Sequence, residues 1–279
     1  MFPSQITANE VERTRYDAMD DMLSTTSGAM LGLTVGCARC HDHKFDPFPT
    51  RDYYRMLSTF TTTTRSNVDV WPDRVTAAIT TMAKDKSTTP QAGATRMMIC
   101  GEGYSPIVMH TQGGPFFDKT YLLKRGSPDM KDGEVQQGFL QVLSKPGDAK
   151  RWQWQPPAGA KFSGRRRSLS NWITDVDQGA GALLARVIVN RLWQHHFGTG
   201  IVATPNDFGK TGTPPSQPEL LDWLAGKLIA KGWQLKPLHR LILSSQAYRQ
   251  STRRSAAKEA ADPANALFMR RVPQRLEAE

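Results

Sequence analysis

The sequence predicts a mixed, mainly α-helical fold: a helical Cys-x-x-Cys-His segment, a short β-rich middle region and a helical C-terminal domain. Three observations predict it. Apolar residues recur at helical spacing in residues 9–30 and again from residue 165 onward. Between residues 97 and 145, short apolar runs alternate with Gly, Pro and Asp, the pattern of strands joined by turns. Polar stretches rich in Thr, Ser, Pro and Gly separate these regions.

In "NEVERTRYDAMDDMLSTTSGAM" (9–30), Asn9 is placed to cap a helix with Glu12 as its capping-box partner. Val11, Ala18, Met19, Met22 and Leu23 form a narrow apolar stripe. After the cysteine motif, Pro47 and Pro49 interrupt regular structure. Thr50 then caps a short helix, Arg51 to Phe60, with Tyr53, Tyr54, Leu57 and Phe60 toward a core. Residues 61–95 read as loop or linker. "MMIC", "YSPIVMH", "KTYLLKRG" and "EVQQGFLQVL" read as short strands, with "RGSPDMKDGEV" the turn region of a hairpin. "KPGDAKRWQWQPPAGAKFSG" is irregular and marks a boundary.

Helical patterning then returns. "GALLARVIVNRLWQHHFG" puts Leu184, Val187, Ile188, Leu192 and His195 on one face, with Gly198 as the stop. Ser216 and Glu219 spell a capping box before "LLDWLAGKLIAKG", which Gly232 closes. "KPLHRLILSSQAYRQS" gives a third helix with Leu238, Leu241, Ile242 and Tyr248 inward. Trp193, Phe197, Phe208 and Trp223 read as core aromatics. The chain divides into residues 1–64, 65–164 and 165–279.

Composition narrows the function classes. With 39% hydrophobic and 22% charged residues, the chain reads as soluble and globular, and no apolar run approaches the roughly 20 residues of a membrane helix. Residues 1–144 carry 15 Lys+Arg against 16 Asp+Glu, whereas residues 145–279 carry 21 against 10. The basic half implies an acidic polymer or an acidic protein surface as a class of partner, or a solvated basic face. Nucleic acid is not expected, because the loop between the first two C-terminal helices is long and Pro-rich, unlike a helix-turn-helix. Both ends read as cut ends, so the absence of a signal-like start at Met1 does not point to the cytosol.

Three cysteines make no disulfide framework. Two of them, with the next residue, form Cys37-x-x-Cys40-His41. This is the attachment sequence of c-type haem: two thiols as thioether anchors and His41 as axial ligand of the haem iron. Three other readings stay open. Zinc or another divalent metal would draw on Cys37, Cys40, His41 or His43, Asp46, and a further group such as Cys100 or His110. The thiols are also spaced for a redox pair, or the motif serves folding alone. Met82, Met97, Met98, Met109 and His110 are downstream candidates for a sixth haem ligand, and none is singled out.

At these residues a resemblance enters. "RYDAMDDMLSTTSGAMLGLTVGCARCHDHKFDPFPTRDYYRMLSTF" resembles the C-terminal end of the cytochrome-associated domain of unknown function (PSCyt-type) of large planctomycete proteins. "LLARVIVNRLWQHHFGTGIVATPNDFGKTGTPPSQPELLDWLA" and "GWQLKPLHRLILSSQAYRQS" resemble the N-terminal part of the planctomycete-specific domain (PSD-type) that follows it. The family's cysteine motif maps onto Cys37, Cys40 and His41, and His43, Lys44, Asp46 and Pro47 match as well. The resemblance implies an upstream cytochrome domain or another redox partner protein, a signal peptide upstream, and an extracytoplasmic (periplasmic or cell-surface) location. It implies haem c and supplies no reaction.

A second group, "NRLWQHHFGTG" and "TPNDFG", brings Asn190, Arg191, His195, His196, Asn206 and Asp207 close in sequence. Catalytic candidates here are His195, His196, Asp207 and Arg191: histidine with carboxylate for acid–base or metal chemistry, arginine for an anionic substrate. The same residues also suit core and turn roles. The leading expectation is a haem-binding protein in electron transfer or a redox-associated role. The alternatives are a metal-dependent extracytoplasmic hydrolase of an acidic polymer and a non-catalytic binding module.

Overall fold

Helical periodicity at the N-terminal end becomes one long helix, α1 (Val11–Met30), in a computed structural model that describes residues 10–70, 95–102, 119–146, 149–160 and 162–273. Tyr16, Met19, Leu23 and Ser27 are buried three or four residues apart and so fall on one face, with Arg15 buried beside Tyr16. Asn9 and the side chain of Val11 lie outside the described residues, and Glu10 precedes the helix without a side-chain cap.

A 3₁₀ turn, Val35–Arg39, carries the first cysteine, and α2 (Thr50–Leu57) follows. Thr50 is the first residue of α2 rather than its cap, because Pro49 with its fixed extended-region backbone takes the boundary position. The helix ends at Leu57 and tightens into a 3₁₀ turn, Ser58–Phe60. Buried Arg15 of α1 explains the tightening: its guanidinium donates to the carbonyls of Phe60 and Thr61 and, at 2.7 Å, Thr63. Carbonyls at the end of α2 thus find a partner across 45–48 residues of sequence.

Residues expected to be loop then extend. β1 (Thr63–Val70) pairs antiparallel with β2 (Thr95–Glu102), in register from Thr63 opposite Glu102 to Val70 opposite Thr95. Threonine is β-branched and suits a pleated surface, which the polar composition had masked. β3 (Thr120–Leu123) and β4 (Lys131–Val135) form the expected hairpin around the "RGSPDM" turn. Buried Asp52 of α2 ties on the 3₁₀ turn Gln141–Leu143 beyond the hairpin: its carboxylate accepts from the backbone N–H and the side-chain amide of Gln141 at 2.9 and 3.0 Å.

Five further helices follow: α3 (Arg165–Thr174), α4 (Gly181–Phe197), α5 (Pro218–Ala230), α6 (Leu235–Ser244) and α7 (Ala256–Ala261). The protein is therefore mainly helical, with seven α-helices among the described residues and two small antiparallel pairs in the middle. None of these helices is long and apolar enough to cross a membrane.

Two hydrophobic clusters share α4. The first runs from Tyr16 through Tyr53, Phe139 and Trp172 to Leu184. Fully buried Trp172 stacks on Phe139 at 5.0 Å, and burying one such side chain contributes about 2–3 kcal/mol. The second joins Ala185, Val189 and Trp193 to α5 and α6. Ile188 packs against both. The N-terminal, middle and C-terminal segments thus meet through α4.

Four sequence expectations differ on helix faces and caps. Trp223 is 49% exposed, with the Lys227 ammonium over its ring, because Leu221, Leu224, Ala225 and Leu228 take the buried face of α5. Leu241 is exposed, since Leu238 and Ile242, four apart, already turn α6 inward. Ser216 does not cap α5: its N–H bonds the carbonyl of Ile201, Gln217 precedes the helix, and Pro218 starts it. His195 is exposed, because Val189, Asn190 and Trp193 hold the buried side of the last turns of α4.

Candidate functional site

The cysteine turn is pinned from three sides. Val35 and Ala38 bury its underside. Gly36 sits so close to α1 that a Cβ there would meet Ser24 Oγ at 2.6 Å. Arg39 reaches back to α1, where its guanidinium lies 2.5 Å from Asp17 and 3.4 Å from Asp20. From α2, Tyr54 donates to the carbonyl of Arg39 at 2.9 Å, and Tyr53 donates to Asp20 at 2.5 Å. The β3–β4 turn closes the third side: Gly126, at φ 73°, lies so that a Cβ would sit 2.9 Å from Cys40 Sγ.

On this frame the motif faces solvent. Cys37 and Cys40 are free thiols, both exposed. His41 is exposed, with Nδ1 2.7 Å from the carbonyl oxygen of Asp42. A carbonyl only accepts, so Nδ1 carries the proton and Nε2 holds the free lone pair. An oriented imidazole of this kind is a metal-ligand arrangement.

The polar residues that follow have structural work. Asp42 accepts from the backbone N–H of Thr50 at 2.8 Å and so caps α2 from outside it. His43 is buried against Phe48, its ring centroid 4.5 Å away. Its Nδ1 accepts backbone N–H groups of Phe45 and Asp46 at 3.3 and 2.8 Å, which places the ring proton on Nε2, 3.3 Å from Thr34 Oγ1. Both nitrogens of His43 are thereby occupied. Asp46 is buried, and its Oδ1 accepts from the backbone N–H of Lys210 at 2.7 Å. Among the described residues, no group of three or more His, Cys, Asp or Glu is gathered to hold a metal ion. Met82, Met109 and His110 lie outside the described residues, as do the side chains of Met97, Met98 and Cys100.

The Asp46 contact belongs to a wider junction. The loop after α4 lies against the cysteine segment: Phe208 N–H donates to Gly32 O at 2.6 Å. Gly32, at φ 60°, lets the Phe208 ring approach to where a Cβ would be only 2.6 Å away. Arg191 of α4 donates to Gly28 O at 3.1 Å and to Asn206 Oδ1 at 2.7 Å. Beside Cys37 this junction leaves an open cleft of about 640 Å³ between α1 and α4. That volume is in the range of small-molecule and cofactor sites.

The other candidates of the C-terminal segment do not converge. Asp207 folds its own loop, accepting from Gly209 N–H at 2.9 Å and Thr211 Oγ1 at 2.7 Å. Asn190 is fully buried and bonds both backbone groups of Val202, at 2.8 and 3.0 Å. His196 meets His239 of α6, Nε2 to Nδ1 at 2.9 Å, with the edge of Tyr248 beside it. Burial lowers the His196 pKa from its ordinary value, and His239, Arg271 and His195 add to the effect. His239 was missed by sequence reasoning, since nothing local links it to His196 across 43 residues.

Comparison with known families fits this geometry. Residues 3–65 match PSCyt2, a protein of unknown function (DUF1549), and residues 165–279 match PSD1, a protein of unknown function (DUF1553). The chain therefore carries a planctomycete cytochrome-associated family domain of unknown function, followed by a PSD1 segment. Comparison with curated proteins and with solved structures found no match in either.

Proposed function

We propose that Cys37, Cys40 and His41 attach a c-type haem, and that the chain is an extracytoplasmic electron-transfer or redox-associated module. The observation that carries the reading is the state of these three side chains. Both thiols are free and exposed, and His41 is exposed with its Nδ1 held by Asp42 O, which leaves Nε2 for a ligand. The PSCyt2 match is consistent with a cytochrome association.

Each residue has a distinct part. Cys37 and Cys40 would hold the haem covalently, one thioether each to its vinyl groups. His41 would hold the iron, and its Nδ1–H bond to Asp42 O fixes the ring. Bound haem would supply one-electron exchange between ferric and ferrous iron. The frame of Arg39, Tyr53 and Tyr54 holds the turn while His43 and Asp46 stay committed to backbone contacts. Covalent attachment of this kind belongs to oxidising compartments, hence the proposed location.

The test is expression with a cytochrome c maturation system in an exported form, then a haem stain on a denaturing gel. The wild-type band is expected to stain, and Cys37→Ser with Cys40→Ser to abolish the stain. An unstained band from intact, exported wild-type protein overturns the reading.

A further inference from the structure

The β3–β4 hairpin lies between the two family segments, and it reaches the cysteine motif. Its root is tied to the core. Leu123 is buried, Thr120 shares a hydroxyl hydrogen bond with Thr61, and Tyr121 N–H donates to the Tyr16 hydroxyl at 2.9 Å. An irregularity in the pairing between Tyr121 and Leu123 bends the strand there. The turn then closes on itself: Lys124 N–H donates to Met130 O at 2.8 Å, and Ser127 N–H to Lys124 O at 3.1 Å. Arg125 and Gly126, at φ 53° and 73°, are successive left-handed residues in it. This root and these turn bonds fix where residue 126 stands. A Cβ there would lie 2.9 Å from Cys40 Sγ and 3.5 Å from Arg39 Cγ. A carbon that close to the sulfur is inside ordinary contact distance, so a side chain at 126 would cover the thiol and push it aside. Gly133 of β4, at φ 90°, is different: a Cβ there would meet no atom within 4 Å.

We propose that Gly126 is a positioning residue of the haem-attachment site: its missing side chain is what leaves Cys40 Sγ uncovered for bond formation. The inference rests on the haem reading above and extends the site beyond the cysteine motif. The β3–β4 turn borders Cys40, so a segment outside both family matches takes part in attachment.

The experiment compares wild type, Gly126→Ala and Gly133→Ala, each as the full chain, in two ways. Without haem, the protein is alkylated briefly with iodoacetamide and digested with trypsin. Arg39 lies between the two cysteines, so they fall on separate peptides and mass spectrometry reads each one. Alkylation of Cys40 relative to Cys37 is expected to fall several-fold in Gly126→Ala. It is expected to stay at the wild-type ratio in Gly133→Ala, which carries a positive-φ alanine without the contact. After maturation with haem, the pyridine haemochrome spectrum counts thioethers, because an unreacted vinyl group moves the α-band to longer wavelength. Wild type and Gly133→Ala are expected to show the two-thioether band, and Gly126→Ala the shifted band of a single thioether through Cys37. Where Gly126→Ala fails to fold, Gly126→Asn serves in its place, since asparagine tolerates the left-handed backbone and still carries the Cβ. A wild-type alkylation ratio or a two-thioether band in the Gly126 variant overturns the proposal. An unstained wild type overturns the haem reading, and the ratio measured without haem separates that failure from a failure of the Gly126 contact.

Discussion

Asp46 Oδ1 accepts a hydrogen bond from the backbone N–H of Lys210 at 2.7 Å, joining the cysteine segment to the loop after α4 across 164 residues. The two motifs most specific to the sequence, "HDHKFDP" and "TPNDFGKTG", are the two halves of one junction. Gly209 is part of the fit, since a Cβ there would lie 2.4 Å from Asp46 Oδ2.

Asp46→Ala leaves the Lys210 N–H unpaired in a closed junction and is expected to cost about 1–3 kcal/mol. Asp46→Asn should behave differently. Its carbonyl oxygen keeps the Lys210 bond, and its amide replaces Oδ2, which has no hydrogen-bond donor and sits 3.5 Å from His43 Nδ1. The expected change is within about 0.5 kcal/mol of wild type. Urea unfolding of both variants checks the contrast, and equal losses would contradict it.

Asn190 reproduces a backbone: it accepts from Val202 N–H and donates to Val202 O while fully buried. Asn190→Asp keeps the acceptor and loses the donor, so a carboxylate faces the Val202 carbonyl. A loss of about 2–4 kcal/mol is expected, from one missing bond and one buried charge. Asn190→Leu breaks both bonds and is expected to cost at least as much. Thermal unfolding measures each, and if either variant matches wild type the assignment fails.

Alkaline stability is set by buried phenols. Burial raises the Tyr16 pKa to about 12, with the backbone N–H of Tyr121 opposing and Glu12 adding to the rise. Burial also pushes up Tyr53, reinforced by Asp20, and Tyr54, opposed by Arg39. A raised folded-state pKa gives stability that is full below the unfolded value of about 10 and is lost as pH climbs toward the folded value. Denaturation midpoints should be flat to about pH 10 and fall between 10 and 12. Tyr16→Phe should flatten that fall while costing about 1 kcal/mol at neutral pH, through the lost bond to Tyr121 N–H.

On the acid side, His196 is the contributor that acts at the higher pH, above the carboxylate Asp175. The lowered His196 pKa means the folded state resists the proton that the unfolded chain takes up near pH 6.5. Stability is therefore present above about 6.5 and is lost as pH falls below it, with a slope under one proton, about 1.4 kcal/mol per pH unit. His196→Asn should reduce the slope between pH 6.5 and 5 in a urea titration series. An unaltered slope would assign the acid loss to other groups.

Much of the fold was legible because it is local. The stripe in α1, the stop at Gly198 and the turn between β3 and β4 follow from spacing and turn chemistry within a few residues. The Cys37-x-x-Cys40-His41 spacing was legible for the same reason. The faces of Trp223, Leu241 and His195 were not, since each helix has more apolar or aromatic residues than its buried face can hold, and packing against neighbours selects among them.

The sequence by itself determined most of the helices, the β3–β4 hairpin, the two family segments and the motif. Only the tertiary structure decided what each polar group in that motif does. Asp42 caps a helix, His43 spends Nδ1 on the backbone of its own turn and Nε2 on Thr34, and Asp46 holds a distant backbone, while Cys37, Cys40 and His41 stay exposed at the surface. The physical reason is that a histidine or carboxylate has the same ligand chemistry wherever it stands. Whether its lone pairs are already taken depends on which backbone N–H groups the fold brings to it, and those come from residues as far away as Lys210.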